Sequence, residues 1–402
     1  MNTFQIIWLI YQLYFKRGLP DLKRIEKLGL LAVKIGQIHA LRLDFLPVYK
    51  CDHLAKLYQT TQPSGREVLD TALNESGQKL LRSVAWFDKE PLASASVGQV
   101  YRAELTDGRE VVIKVLRSDF KTRFKNDLLK AKRFFRLIIF FYPKLRQVGN
   151  PIGILEDIET YTLCELDLRN ELAGQDQLRV IYEKYRLKFD LSALGFFQQH
   201  RDLSGENVLV SEYIKAPSVN DLLMEGRFSY EDMLKLFYIQ GFYIFIAGSF
   251  HGDIHPGNVL YDGQKFYFVD TAFVGQVSDK LRVGLFNFFR TLSSYDYDDC
   301  AYWLNQMSET SISGEAFEIF RQQLNELYRD FKGSTVEEVS LTRKMMQTIK
   351  LGVRRGMTFE QGMFSIIRSL MYLDGMVLKC NPQAVLMEDM RQFINDYQDH
   401  LN

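Results

Sequence analysis

Cysteine is scarce. Cys51, Cys164, Cys300 and Cys380 stand far apart with no CxxC pair, which argues against a disulfide framework or a cysteine-ligated zinc site. A reducing, cytoplasmic setting is therefore expected. Histidine is equally sparse, and the only near pair, His251 and His255, falls in a loop that has a different reading below, so no zinc is expected. Charge of one sign is not in excess either: 50 Lys and Arg face 50 Asp and Glu. Nothing pulls the chain as a whole toward nucleic acid, and any partner must be recognised locally. Long hydrophobic runs are missing as well. The apolar stretches at residues 4–15 and 134–143 fall short of the roughly 20 residues a spanning helix needs. The first lacks a small-residue cleavage site, so a secretory signal is not expected. Both read as buried helices in preference to membrane-surface ones. No internal repeat or low-complexity segment occurs.

What is present is apolar substance. With 402 residues, 47% of them hydrophobic, the chain can bury one large core divided into two lobes, or two modest domains. Apolar residues recur at helical spacing over residues 22–43, where Pro47 follows and stops the helix. Residues 50–82 continue as helix, interrupted at 62–65. The period then changes to that of strands over 98–105 and 109–116, separated by Asp107 and Gly108, a strong hairpin turn pair. Residues 119–190 return to helix. Residues 207–214 read as a strand running into a linker, and the remainder is helical apart from short strands near 259–261 and 266–269. The expected fold is α+β with two lobes: a helical extension over 1–82, a sheet-bearing lobe with a helical insertion over 83–214, and a mostly helical lobe over 215–402.

The chemistry concentrates in His251-Gly-Asp-Ile-His-Pro-Gly-Asn258, a loop followed by a short strand and then by a second strand ending in Asp270. Phosphoryl transfer uses such parts: an aspartate to orient or deprotonate the attacking hydroxyl, and an asparagine with a second aspartate to hold magnesium against nucleotide phosphates. Asp253 takes the first role, Asn258 and Asp270 the second. Lys114 ends the run Val-Val-Ile-Lys on the second hairpin strand, where its ammonium can meet α- and β-phosphates. The segment Ala93-Ser-Ala-Ser-Val-Gly-Gln-Val100 occupies the place of a kinase phosphate loop, GxGxxGxV. Only Gly98 of its glycines remains; Ala93 and Ala95 replace the others, which restricts positive φ and stiffens the loop.

At these residues the chain resembles the UbiB family of atypical kinases, in which an alanine-rich loop replaces the glycine-rich one. The resemblance covers roughly residues 20–280. Lys34-Ile-Gly-Gln37 is similar to the family's KxGQ motif, followed by Arg42, Asp44 and Pro47; Glu165-Leu-Asp167 is similar to its ExD motif. The resemblance implies a two-lobed protein-kinase-like fold and binding of ATP or ADP with Mg2+. It implies nucleotide contacts at Ala93, Ala95, Val97, Gly98, Val100 and Lys114, and at Glu171, Glu212 and Ile214. It implies that Glu171 pairs with Lys114, and that Lys34 and Gln37 form a lid with Lys34 meeting Glu165 or Asp167. It further implies a role in isoprenoid-quinone or prenyl-lipid metabolism, a prenyl-lipid or quinone ligand, and peripheral membrane contact.

A second stretch, His200-Arg-Asp-Leu-Ser-Gly-Glu-Asn207, fits the ordinary kinase catalytic loop HRDLxxxN more closely. It is set aside because no metal-binding aspartate follows it at the end of a second short strand. Asp270-Thr-Ala272 departs from the usual Asp-Phe-Gly, losing a glycine and a packing aromatic, so turnover is less secure than binding. Two rival readings stay open: a small-molecule phosphotransferase of the aminoglycoside or choline kinase type, and a pseudokinase that binds nucleotide or lipid as a scaffold.

Overall fold

The computed structural model describes residues 1–40, 46–58, 78–94, 97–116, 119–142, 151–360 and 362–401. Two compact units divide the chain: residues 1–172 with 197–213, and residues 173–196 with 214–402.

The first unit opens with α1 (Thr3–Ile10), started by a reciprocal cap in which Asn2 accepts from the Gln5 N–H and Gln5 accepts from the Asn2 N–H. A π-helical turn over Tyr11–Phe15 follows. The pattern over 22–43 reads as one helix, but the structure breaks it into α2 (Leu22–Leu28) and α3 (Leu30–Ala40). Gly29 sits between them at φ 103°, a backbone state that glycine takes at little cost and that its neighbours could not. After α4 (Val48–Ala55) come α5 (Gln78–Ser83) and two strands too short to show alternation in sequence, β1 (Val84–Phe87) and β2 (Ala93–Ser94). The expected hairpin is β3 (Gly98–Leu105) and β4 (Glu110–Leu116), turning through Gly108 at φ 86°. Three helices continue the chain, α6 (Asp119–Phe141), α7 (Pro151–Glu165) and α8 (Arg169–Tyr185). The first turn of α8 belongs to the first unit and the rest to the second.

The sheet has the order β1-β3-β4-β6, with β2 on β3 and β6 being Val208–Glu212; all its pairs are antiparallel. Its inner face, Tyr101, Ala103, Leu105, Val111, Ile113, Val115, Val208 and Val210, forms one apolar cluster. A second cluster joins the helices through Ile25, Leu31, Leu54 and Leu57 to Phe124, Leu128, Leu155 and Ile158. The two apolar segments read as buried helices are buried on one side only. Ile6, Leu9 and Leu13 are covered, whereas Phe4, Ile7, Tyr11 and Phe15 face outward, as do Leu137, Phe140 and Phe141 at the end of α6. Among the described residues no helix is long and apolar enough to cross a membrane.

The second unit holds two small sheets: β5 (Leu194–Gly195) runs parallel to β9 (Phe266–Phe268), which pairs with β8 (Val259–Tyr261), and β7 (Ser249–His251) pairs with β10 (Val274–Gln276). Around them lie α9 (Val219–Met224), α10 (Tyr230–Gly241), α11 (Asp279–Ser293), α12 (Tyr297–Met307), α13 (Gly314–Leu327), α14 (Leu341–Arg354), α15 (Gly362–Cys380) and α16 (Leu386–Leu401). Serine starts four of these helices: Ser218, Ser229, Ser278 and Ser340 each accept from the N–H three residues on, satisfying an otherwise orphaned donor. Gly248 at φ 67° ends the π-helical turn Phe242–Ala247 and directs the chain into β7.

The close approach of β3 to β4 yields a test. A Cβ on Gly98 would lie 2.3 Å from the Val115 carbonyl oxygen, which is backbone and cannot swing aside. Gly98→Ala should therefore destabilise the protein by about 1–3 kcal/mol, read as a lower midpoint in thermal unfolding; an unchanged midpoint would show that the two strands are not packed this closely.

Candidate functional site

In the first unit, β4 carries Lys114 opposite Val100 on β3, so the register of the hairpin fixes where the lysine emerges. Its ammonium forms an ion pair with Glu171, and both side chains are nearly inaccessible to solvent. Lys34 on α3 forms a second pair, 2.5 Å from Glu165 at the end of α7. Of the two acids offered to Lys34 by the sequence, the structure selects Glu165. Asp167 instead accepts from the Arg169 backbone N–H at 3.2 Å and pairs with its guanidinium at 2.6 Å, which holds its carboxyl below the usual range. Gln37 is buried and donates to the Leu57 carbonyl at 3.0 Å. Between them, Gly36 lets Leu57 close in, since a Cβ there would meet the Leu57 side chain at 2.4 Å.

The alanine-rich segment is partly visible. Ala93 pairs with Val100 across β2 and β3, Val97 is buried, and Gly98 abuts β4. Ala95, Arg42 and Asp44 lie outside the described residues. At the end of β6, Glu212 accepts from the Gln198 N–H at 2.9 Å. Ile214, the first residue of the following stretch of the second unit, accepts from the Ala216 N–H at 2.8 Å. His200 precedes a 3-10 turn over Arg201–Leu203 that runs toward β6, and Asp202 pairs with Lys79 at 3.0 Å on the surface. The strand after this stretch joins the sheet beside β4, so no short hairpin ending in an aspartate follows it.

In the second unit such a hairpin does follow the loop at residues 251–258. His251, wholly buried, donates from Nε2 to the Val269 carbonyl at 2.9 Å and accepts at Nδ1 from the Asp253 N–H at 3.1 Å. Only the neutral ring with its proton on Nε2 satisfies both partners. Burial holds His251 below its ordinary value of 6.5, opposed by the Val269 carbonyl and the charges of Asp253 and Asp270 and reinforced by Arg368. His255 is also held low by burial, and its Nδ1 accepts from the Gly257 N–H at 3.1 Å. Asn258 donates to the Asp253 carbonyl at 3.0 Å, which leaves its Oδ1 as the free end of the amide. The Asp253 Oδ1 is buried and has no hydrogen-bond partner, an unsatisfied acceptor of the kind that clusters at functional sites.

Asp270 closes this set with φ 56°, one of only two described non-glycine residues at positive φ. Such a state costs on the order of 1–3 kcal/mol and persists where the surroundings impose it. Neither Thr271 nor Ala272 shares it. The missing glycine of Asp-Phe-Gly therefore carries no backbone penalty here, contrary to the restriction expected from sequence. An aromatic stands two residues after the missing one: the Phe273 carbonyl accepts from the Gly252 N–H at 3.0 Å, and its ring leaves no room for a side chain at Gly252.

Sequence reasoning overlooked three supports. Gln240 on α10 donates to the His251 carbonyl at 3.1 Å, Arg368 on α15 donates to the Gly252 carbonyl, and Gly174 on α8 admits the Thr271 carbonyl, which a Cβ would meet at 2.0 Å. None belongs to a motif. Only the interruption of helical pattern by Gly174 was a visible signal.

Comparison with known proteins bears on the family and the fold. A family model described as the ABC1 atypical kinase-like domain matches residues 56–304. Probable protein kinase UbiB of Aliivibrio fischeri is 28% identical over 93% of this chain and 69% of its own length. Its counterpart from Vibrio cholerae is 27% identical over 98% and 73%. In fold, the chain is similar to the solved complex of Rv3197 with erythromycin from Mycobacterium tuberculosis, with a TM-score of 0.55 and 19% identity over 92% of this chain and 94% of that one. The fold is thus a kinase-like α+β arrangement.

The buried His251 and the partly buried His255 predict a pH dependence. Each has a folded-state pKa depressed below 6.5, so the unfolded chain binds more protons as pH falls through that value. Their contribution to stability is full above pH 6.5 and declines below it, by up to about 1.4 kcal/mol per pH unit for each histidine. Urea unfolding between pH 8 and 5 should show this loss, with a shallower slope in His255→Gln. A stability flat across pH 5–6.5 would contradict neutral, buried imidazoles.

Proposed function

The chain belongs to the ABC1, or UbiB-type, atypical kinase-like family, and from that premise we propose that it binds ATP or ADP with magnesium and transfers or hydrolyses a phosphoryl group. The observation that carries this reading is the single hydrogen-bonded loop in which Asn258 orients toward Asp253 and the neighbouring strand delivers Asp270. Asn258 Oδ1 and the Asp270 carboxylate are hard oxygen donors of the kind magnesium takes, and the ion usually keeps several waters besides one or two carboxylates. When bound, it would neutralise phosphate charge. Asp253, whose Oδ1 no protein group occupies, would accept the proton of the attacking hydroxyl or water. Lys114, held by Glu171, would meet the α- and β-phosphates, and the segment from Ala93 to Val100 would cover them. Lys34 and Glu165, locked together, fit a restraint on access in which proteins are poor acceptors.

The biological setting we propose is support of isoprenoid-quinone or prenyl-lipid metabolism, as the family membership suggests. Peripheral contact with a membrane fits the outward Phe4, Ile7, Tyr11 and Phe15, which sit above the buried Ile6 and Leu9.

Nucleotide-induced thermal shifts and Mg2+-dependent hydrolysis test the chemical part. Asp270→Asn should remove the magnesium dependence of nucleotide binding, because it deletes the ligand charge. Asp253→Asn should keep binding but lower turnover by about 10²–10⁴-fold, and Asp202→Asn should change neither. Binding without turnover in the unmodified protein would favour the pseudokinase reading; loss of activity in a folded Asp202→Asn would move the catalytic loop to residues 200–207. Liposome flotation tests the membrane part. The protein should float with anionic vesicles and Phe4→Ser/Tyr11→Ser should weaken this; failure to float on any bilayer would contradict it.

A further inference from the structure

We propose that α15, which lies C-terminal to the segment matched by the family model, braces the loop at residues 251–258, and that its Arg368 is a positioning residue for Asp253. As a statement about phosphoryl transfer, this rests on the function proposed above.

Two side chains of α15 reach the loop. Arg368 donates from its guanidinium to the Gly252 carbonyl, the peptide group that leads directly into Asp253. Tyr372, four residues on and therefore on the same helical face, sets its ring edge-on against His255, with centroids 5.2 Å apart and planes at 89°. These contacts bracket Asp253, one residue before it and two after. Gly252 is held on its other side as well: its N–H is bonded to the Phe273 carbonyl at 3.0 Å, and a Cβ there would lie 2.2 Å from the Phe273 ring. The preceding carbonyl, that of His251, is taken by Gln240 of α10. Successive carbonyls are thus fixed from two helices, and the one adjoining Asp253 receives the charged donor, the stronger kind of hydrogen bond.

Arginine suits this position for a physical reason. The carbonyl it holds cannot rotate away without carrying the Asp253 N–H off the His251 Nδ1, to which it is bonded at 3.1 Å. Loss of the guanidinium frees that peptide and lets the Asp253 carboxylate wander from the position in which its Oδ1 is enclosed. Lys114 and the segment proposed to meet the phosphates lie outside this loop, so loss of the guanidinium should appear mainly in turnover and little in affinity.

The experiment compares full-length Arg368→Met and Arg368→Lys with the unmodified protein by steady-state ATP hydrolysis, thermal melting and hydrogen exchange read by mass spectrometry. Arg368→Met should lower kcat by about 10–100-fold, the size of one charge-assisted hydrogen bond, with KM for ATP within about twofold. Exchange in peptides covering residues 251–258 should quicken, and Arg368→Lys should restore part of both. Unchanged exchange in that segment in Arg368→Met would overturn the bracing role. Equal losses in kcat and in folded fraction, with no rescue by lysine, would overturn the positioning role. If Arg368→Met fails to fold, Arg368→Lys carries the comparison, and its exchange must exceed that of the unmodified protein in 251–258 and not elsewhere. If the unmodified protein neither binds nor hydrolyses ATP, the proposed function fails by itself, while the exchange comparison still decides whether Arg368 fixes the loop.

Discussion

Enclosed between the Val269 carbonyl and the Asp253 N–H, the imidazole of His251 must donate at one nitrogen and accept at the other, a division only its neutral form supports. This pair of bonds ties the start of the loop to the strand that ends beside Asp270. It sets the separation between the proposed base and the proposed metal ligand, since the ring holds the N–H of Asp253 itself and the carbonyl of the residue before Asp270. Protonation would turn the accepting nitrogen into a donor facing an N–H, so the same burial that lowers its pKa also protects the geometry. The positive φ of Asp270 is explained in these terms: a strained residue is tolerated because its neighbours are fixed on both sides.

The first unit fixes its lysines with ion pairs, where the loop at residues 251–258 is held by hydrogen bonds to its backbone. Lys114 with Glu171, and Lys34 with Glu165, are pairs with little solvent access. Such pairs add modestly to net stability, but removal of one partner strands the other and costs about 3–5 kcal/mol. Their service is placement: each fixes a flexible lysine at one point. The exposed pair of Asp202 with Lys79 lacks this leverage, because water screens it.

Much of this was legible in the sequence, and unevenly so. The hairpin of β3 and β4 announced itself through period-two alternation around Asp107 and Gly108, and the spacing of Asp253, Asn258 and Asp270 pointed to one loop and one short hairpin, both of which the structure contains. The break at Gly29 was hidden, because apolar periodicity continues through it and only the φ of the residue reveals the end of the helix. The backbone of Asp270-Thr-Ala272 was hidden for a related reason: the sequence marks the lost glycine, whereas the positive φ belongs to Asp270. Gln240, Arg368 and Gly174 were out of reach, since a helix residue that holds a carbonyl far along the chain has no local pattern to mark it.

The central claim is the proposal that Asn258 and Asp270, beside Asp253, and not the stretch at 200–207, hold the metal that accompanies the nucleotide. Iron-mediated affinity cleavage addresses it directly: Fe2+ replaces Mg2+ with ATP present, ascorbate and peroxide generate hydroxyl radicals at the bound metal, and the cut positions are read by mass spectrometry. The account predicts ATP-dependent cuts clustered near Asn258 and Asp270 that vanish in excess Mg2+. Cuts clustered near Asp202 and Asn207, or cleavage indifferent to ATP, would contradict it.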